Sequence, residues 1–232
     1  MPNHCENTMI VQGDNAMLSR FWNDIQTTDK DGNRLVKIAS LVPMPDALDG
    51  TQSPTPTSPE PHPNWKVMLD DGKMTQEWYD HLVKDTVEKY EAGQKSLAET
   101  GYSNWYDWAN SNWGTKWGDY DTELTNAPIG SATPSGQLEF YYQTAWSPFS
   151  NGFLVKISEM YPHLVFRVSY SETGMGYIGH IVVTNGWVLF DECEEPSPSG
   201  DIDLDDDDGY EKFYSFFEDA LDAMKERAKE IV

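Results

Sequence analysis

Hydrophobic residues recur along this chain with two periods, and the change from one to the other marks its elements. Residues 7–12 alternate, with Met9 and Val11 on one side and Ile10 on the other, as a half-buried strand does. A helix follows, capped by Asp14 or Asn15, with Met17, Phe21, Trp22 and Ile25 at helical spacing up to a polar turn at 29–33. The apolar run LVKIASLV at 35–42 reads as a second strand. Later, residues 137–145 alternate through Leu138, Phe140 and Tyr142. Residues 164–171 alternate through Leu164, Phe166, Val168 and Tyr170, and between them Ser150 caps a helix carrying Phe153, Leu154, Ile157 and Tyr161. Residues 177–184 and 187–191 flank Asn185-Gly186, a strong hairpin signal, and Gly174-Met175-Gly176 reads as a turn. Tyr210, Phe213, Phe217, Leu221, Met224 and Ala228 form the apolar stripe of a closing helix.

The middle of the chain differs. Residues 43–63 hold seven prolines among Ser, Thr, Asp and Glu, a composition that predicts a flexible or polyproline-like excursion. Thr75 caps a helix with Trp78, Tyr79, Leu82, Val83, Val87 and Tyr90 on a broad apolar face, broken near Gly93 and ended at Gly101. From Ser103 a short helix sets Trp105, Trp108, Ala109 and Asn112 on one side, and Gly114 ends it. Trp113, Lys116, Trp117 and Tyr120 then fall in an irregular loop.

Taken in order these elements predict an α+β fold: a ferredoxin-like β-α-β-β-α-β sheet with a long helical insertion, an added β-hairpin and a C-terminal helix. Residues 1–42 are then the first half of that domain, 43–135 the Pro-rich stretch and Trp-rich insertion, and 136–232 the second half with hairpin, acidic loop and closing helix. A competing topology loses the strand at 35–42 and makes the sheet mixed parallel.

Charge narrows the function. With 39 acidic against 16 basic residues the net charge is −23, so duplex DNA is repelled and is not an expected partner. Residues 191–208 carry ten carboxylates and no Lys or Arg, which reads as a solvated loop or, more sharply, as an acidic interaction surface formed by Asp201, Asp203, Asp205, Asp206, Asp207 and Asp208. Asp201, Asp203 and Asp205 occupy the first, third and fifth positions of a calcium loop. Asp206 stands where that loop needs Gly and Lys212 where it needs Glu, so no calcium is expected. No apolar run reaches the roughly 20 residues of a membrane span, and residues 1–14 lack the pattern of a signal peptide, so a cytoplasmic location is expected.

No metal, cofactor or catalytic residue is expected. The five histidines make no zinc spacing, and Cys5 and Cys193 make no CxxC. His4 and Cys5, adjacent on an extended segment, point to opposite faces and cannot act as base and nucleophile. The chain has no GxSxG, P-loop or dinucleotide fingerprint. Asp107, Asp119 and Asp121 lie near the tryptophan-rich loop as a candidate carboxylate pair, and an enzyme built from acids assembled by the fold stays open. The nine tryptophans are more informative. Trp105, Trp108, Trp113 and Trp117 either anchor the insertion or, with Lys116 and Tyr120, stay exposed as a binding platform, and Trp146 is either a packing plug or the rim of a pocket.

The strings MPNHCEN, SLVPMPDAL, NWYDWANSNWGTKW and FYYQTAWSPF, in that order, resemble the YubB-like or Api-like family of phage and plasmid proteins with a ferredoxin-like domain. The resemblance implies the fold already reached and a mobile-element protein at work in a bacterial cell; it brings no catalytic residues. The leading expectation is a non-enzymatic phage or plasmid accessory protein that binds a host or defence protein through its acidic surface and aromatic insertion. One alternative is a small-molecule or nucleotide pocket between sheet and insertion, with Trp113, Lys116 and Trp117 at its mouth; another is single-stranded nucleic-acid binding.

Overall fold

In the computed structural model, residues 3–29, 31–126, 136–196 and 207–231 are described. The chain forms two compact units, Met44–Ser111 and the remainder, Met1–Pro43 with Asn112–Val232.

The larger unit is built on one antiparallel sheet of six strands. In chain order these are β1 (His4–Gly13), β4 (Tyr120–Leu124), β5 (Gln137–Ala145), β6 (Leu164–Glu172), β7 (Tyr177–Thr184) and β8 (Trp187–Glu194), arranged β4-β5-β1-β6-β7-β8. β2 (Gln26–Thr28) and β3 (Arg34–Val36) form a separate small hairpin. Helix α1 (Asn15–Asp24) follows β1, and α5 (Asn151–Met160) joins β5 to β6, so each crossover skips one strand. β1, α1, β4, β5, α5 and β6 thus make the ferredoxin-like core, with the β7–β8 hairpin and helix α6 (Asp207–Lys229) added.

The second core strand is β4. Residues 35–42, read as that strand, form the end of β3 and a 3-10 turn, Ile38–Leu41. Their apolar residues come in pairs, and a paired pattern suits a buried turn better than a pleated strand. The chain therefore leaves the sheet unit after Pro43 and returns at Asn112, ahead of β4, so the segment expected at 43–135 divides differently: the second unit is Met44–Ser111.

Local signals explain most boundaries. Asp14 accepts from the amides of Ala16 and Met17 at 3.0 Å, and Ser150 Oγ accepts from Phe153 N at 3.2 Å. Asn185 and Gly186 both have positive φ, as a type I′ turn requires. One face of the sheet presents Met9, Val11, Phe140, Phe166 and Val168, all fully buried, to α1 and α5. Phe21 of α1 sits at the centre, edge-on to Phe140, Phe166 and Tyr161 with centroids 5.2–6.0 Å away. The phenol of Tyr170 on β6 occupies the space beside Gly179 of β7, where a Cβ would stand 2.1 Å from it. Tyr142 carries a defect in this layer: its hydroxyl is buried with no hydrogen-bond partner among the described residues. Tyr142→Phe removes that unpaired group at constant shape, so chemical denaturation is expected to show unchanged or raised stability, by up to ~1 kcal/mol; a loss of more than that would mean the hydroxyl is satisfied.

In the smaller unit, α2 (Pro63–Asp70) and α3 (Gln76–Thr100) are followed by α4 (Trp105–Asn112). Thr75 caps α3, and Gly101, at φ +82°, ends it. The helix is not broken at Gly93. That glycine admits the Thr55 methyl, which a Cβ would meet at 2.2 Å. The Pro-rich stretch is likewise no free excursion: Ser96 Oγ donates to Ala47 O at 2.7 Å, Asn104 Nδ2 to Thr55 Oγ1 at 3.0 Å and Trp105 N to Thr51 Oγ1 at 3.0 Å. Its threonines supply the polar partners that its prolines cannot.

Candidate functional site

The second face of the sheet is only partly covered. Helix α6 packs Phe217 and Met224 on Ile178, and Ala228 on Val182 and Phe190, which hides the β7–β8 side. Over β5, β1 and β6 the face stays open among the described residues, and a groove of about 530 Å³ runs between it and the flank of α6.

Strand register builds its floor. One row across the sheet holds Tyr141, Thr8, Ser169 and His180; the next holds Glu139, Ile10 and Arg167. A third pairs Gln137 with Gln12, and on the other side of the first row Glu6 lies between Gln143 and Ser171. α6 closes the wall with Leu221, Lys225 and Lys229, four residues apart and so on one stripe.

Arg167 is the central cation. It is half-buried, and among the described residues its side chain reaches one acceptor, Gln12 Oε1, at 3.3 Å, and no carboxylate. Burial pulls its pKa below the usual guanidinium value. Lys225 and Lys229 lean on Asp222 and Glu226 of their own helix at 2.8 and 2.5 Å, exposed pairs that hold little energy. Arg227, on another side of α6, ties the helix to Glu192 and Glu194 of β8.

His180 forms the groove's buried polar floor. Its Nδ1 shares a hydrogen bond with Ser169 Oγ at 2.9 Å, and its ring rests 5.9 Å from that of Phe190. Burial, then Arg167 of β6 and Lys225 of α6, drive its pKa down to about 4 against the opposing pull of Glu192 on β8, so it is neutral at pH 7. Between pH 6.5 and 4 the unfolded chain binds a proton at this residue that the folded one refuses, so this contribution to stability is complete above 6.5 and lost as pH falls toward 4. His180→Gln is expected to flatten that part of the melting-temperature profile relative to the unaltered protein; parallel profiles would show that His180 titrates normally.

The residues singled out by sequence are placed elsewhere. Trp113 is buried, its Nε1 donates to Val42 O at 2.9 Å, and its carbonyl accepts from Ser150 N, so it stands at no pocket mouth. Gly114 beside it has φ +81° and no room for a Cβ against Ser150. Trp108 is buried and Trp105 half-buried on α4. Lys116 lies over the exposed Trp117 ring at 4.7 Å, and Trp117 meets Tyr120 edge-on, so these three do come together. Tyr120 OH bonds His4 Nδ1 at 2.7 Å and Thr144 O at 3.2 Å. Trp146 is exposed at φ +73°, held through Asn3 O and the Tyr177 hydroxyl.

Asp119 is structural: its buried carboxylate accepts from Ile38 N, Ala39 N and Thr122 Oγ1. Asp107 holds Asn104 at the start of α4. Cys5 is buried and its thiol pushed up to about 12, mainly by desolvation, which makes it a poor nucleophile. Among the described residues no three His, Cys, Asp or Glu side chains gather as a metal site. Asp201, Asp203, Asp205 and Asp206 lie outside the described residues, and Asp207 and Asp208 open α6.

Sequence reading missed Arg167, Ser169, Lys225 and Lys229. The available signal was the second face of each strand: Glu6, Thr8 and Gln12, then Arg167, Ser169 and Ser171, are polar at alternating positions.

Comparison with known proteins agrees on the fold. Residues 112–216 match the family model described as the ferredoxin-like domain in Api92-like protein, a family of unknown function. The match thus covers the second part of the chain, a shorter reach than the four ordered strings implied. No curated protein matches. A solved structure, the protein api92 from Yersinia pseudotuberculosis, is similar at 10% identity and TM-score 0.41, over 85% of this chain and 100% of that one.

Proposed function

We propose that this protein binds a small anionic ligand in the groove between the open sheet face and α6. The observation that carries this reading is Arg167, half-buried and without a carboxylate partner among the described residues, in a groove that Lys225 and Lys229 also line, on a chain of net charge −23. A folded chain with so many acids has carboxylates to spare for pairing its cations, so a guanidinium left over a cavity is set for an incoming anion. The volume lies within the range of small-molecule sites.

The test is a thermal-shift panel of phosphates, sulfate and dicarboxylates, with native mass spectrometry of freshly purified protein. A ligand at a hundred times its dissociation constant adds about 2.7 kcal/mol, or ~5–10 °C for a chain of this size. Such a shift is expected from at least one anion and is lost in Arg167→Met. No shift across the panel and no co-purified mass would contradict the reading.

A second reading keeps the accessory protein of a phage or plasmid that docks on a host or defence protein in the bacterial cytoplasm. What favours it is the edge strand β8, where Trp187 is 71% exposed and Val188 and Leu189 are exposed beside it. The two free cysteines suit a reducing compartment, and among the described residues no helix is long and apolar enough to cross a membrane. In this reading Val188→Lys abolishes partner capture in a pull-down; retention would remove it.

A further inference from the structure

The groove is polarised along its length. Ile10 pairs with Arg167 and Glu6 with Ser171, four residues apart on β1, or ~13 Å at about 3.3 Å per residue. Arg167 stands at one end, level with Val182, on which Ala228 of α6 packs, so that on the α6 wall Lys229 lies nearest it and Lys225 one turn nearer the middle. At the other stand Glu6 and the Tyr141 hydroxyl, which accepts from Gln143 Nε2 at 3.3 Å. The floor between them is made of Thr8 and Ser169, and Ile10 adds an apolar member in the Arg167 row. A ligand matched to this surface bears an anion at one end, hydrogen-bond donors at the other, and a body with a flat or apolar face between.

Three details narrow the class. Glu139 flanks Ile10 on the β5 side, so an anion is repelled from that flank and driven toward α6. There Arg167 offers its planar fork while Lys225 and Lys229 offer point charges held only by exposed partners, a set that matches the several oxygens of a phosphate better than the two of a carboxylate. The cavity, about 530 Å³, accepts a mononucleotide, and the field of a chain at −23 repels a polyanion far more than a single phosphate.

We propose that the ligand is a nucleoside monophosphate, its phosphate seated on Arg167, Lys225 and Lys229 and its sugar and base lying over Thr8, Ser169 and Tyr141 with an exocyclic amine toward Glu6. This rests on the groove being the ligand site. An amine-bearing base donates to the Glu6 carboxylate, and the Tyr141 ring supplies a face for stacking.

The test is calorimetric titration at roughly 0.15 M salt with adenosine monophosphate, adenosine, inorganic phosphate, succinate and a 5′-phosphorylated pentanucleotide. The monophosphate is expected to bind at least about tenfold tighter than adenosine or inorganic phosphate. Losing a charged hydrogen-bond donor in Arg167→Met weakens it about thirtyfold. Lys229→Met, at an exposed position outside the packing of α6, weakens it less and leaves the fold intact. Succinate binding in an Arg167-dependent way while the monophosphate does not bind would overturn the phosphate assignment and keep the anion reading. Tighter binding of the pentanucleotide would overturn the assignment to a free nucleotide. Silence from every anion would overturn both.

Discussion

Phe21→Ala is expected to cost about 3–5 kcal/mol, a large share of the roughly 5–15 kcal/mol that holds an ordinary domain folded. Phe21 is fully buried and touches three aromatic rings on three elements, Phe140 of β5, Phe166 of β6 and Tyr161 beyond α5. Burying such a ring removes roughly 200 Å² from water, ~5 kcal/mol gross at about 25 cal/mol per Å². The cavity left by its loss is walled by other rings anchored in the sheet and cannot collapse cheaply. Near-ultraviolet circular dichroism and urea denaturation report it, and a cost below about 1 kcal/mol would show that α1 is not pinned to the sheet by this residue.

Asp119→Ala is expected to cost a similar ~3–5 kcal/mol by a different route. Its carboxylate holds the amides of Ile38 and Ala39 at 2.9 and 2.7 Å and the Thr122 hydroxyl at 2.6 Å. Ile38 and Ala39 are themselves fully buried, so water does not replace the lost acceptor, and each orphaned donor costs about 1–3 kcal/mol. Asp119→Asn keeps one oxygen and is expected to lose about half as much. Equal losses in the two variants would mean that charge, rather than the paired amides, carries the effect.

These two residues also show what sequence makes visible. Phe21 sits in a helix whose period and Asp14 cap are local, and β1, β5, β6, β7 and the Asn185-Gly186 turn are likewise written in neighbouring residues. Asp119 is not: the two amides it holds lie about 80 residues earlier, with the whole smaller unit between them in sequence. That separation also hid β4. The segment YDTEL is short, polar and bulged, and its pairing with β5 gives no periodic signal. The candidate site was hidden for a related reason. Each strand shows polar residues on its second face, but only register sets Thr8 beside Ser169 and Ile10 beside Arg167. Only the packing of Phe217 and Met224 on Ile178 turns Lys225 and Lys229 toward them. The tryptophans drew attention by composition, and Trp113 proves to be mortar between Val42 and Ser150.

The groove is tested most directly by backbone amide spectra of the isotope-labelled protein titrated with adenosine monophosphate. Shift changes are expected along residues 6–12 of β1, 165–171 of β6 and 221–229 of α6, with the Arg167 side-chain resonance moving most. Changes centred on Lys116, Trp117, Tyr120 and Trp146, or none at millimolar ligand, would contradict the account.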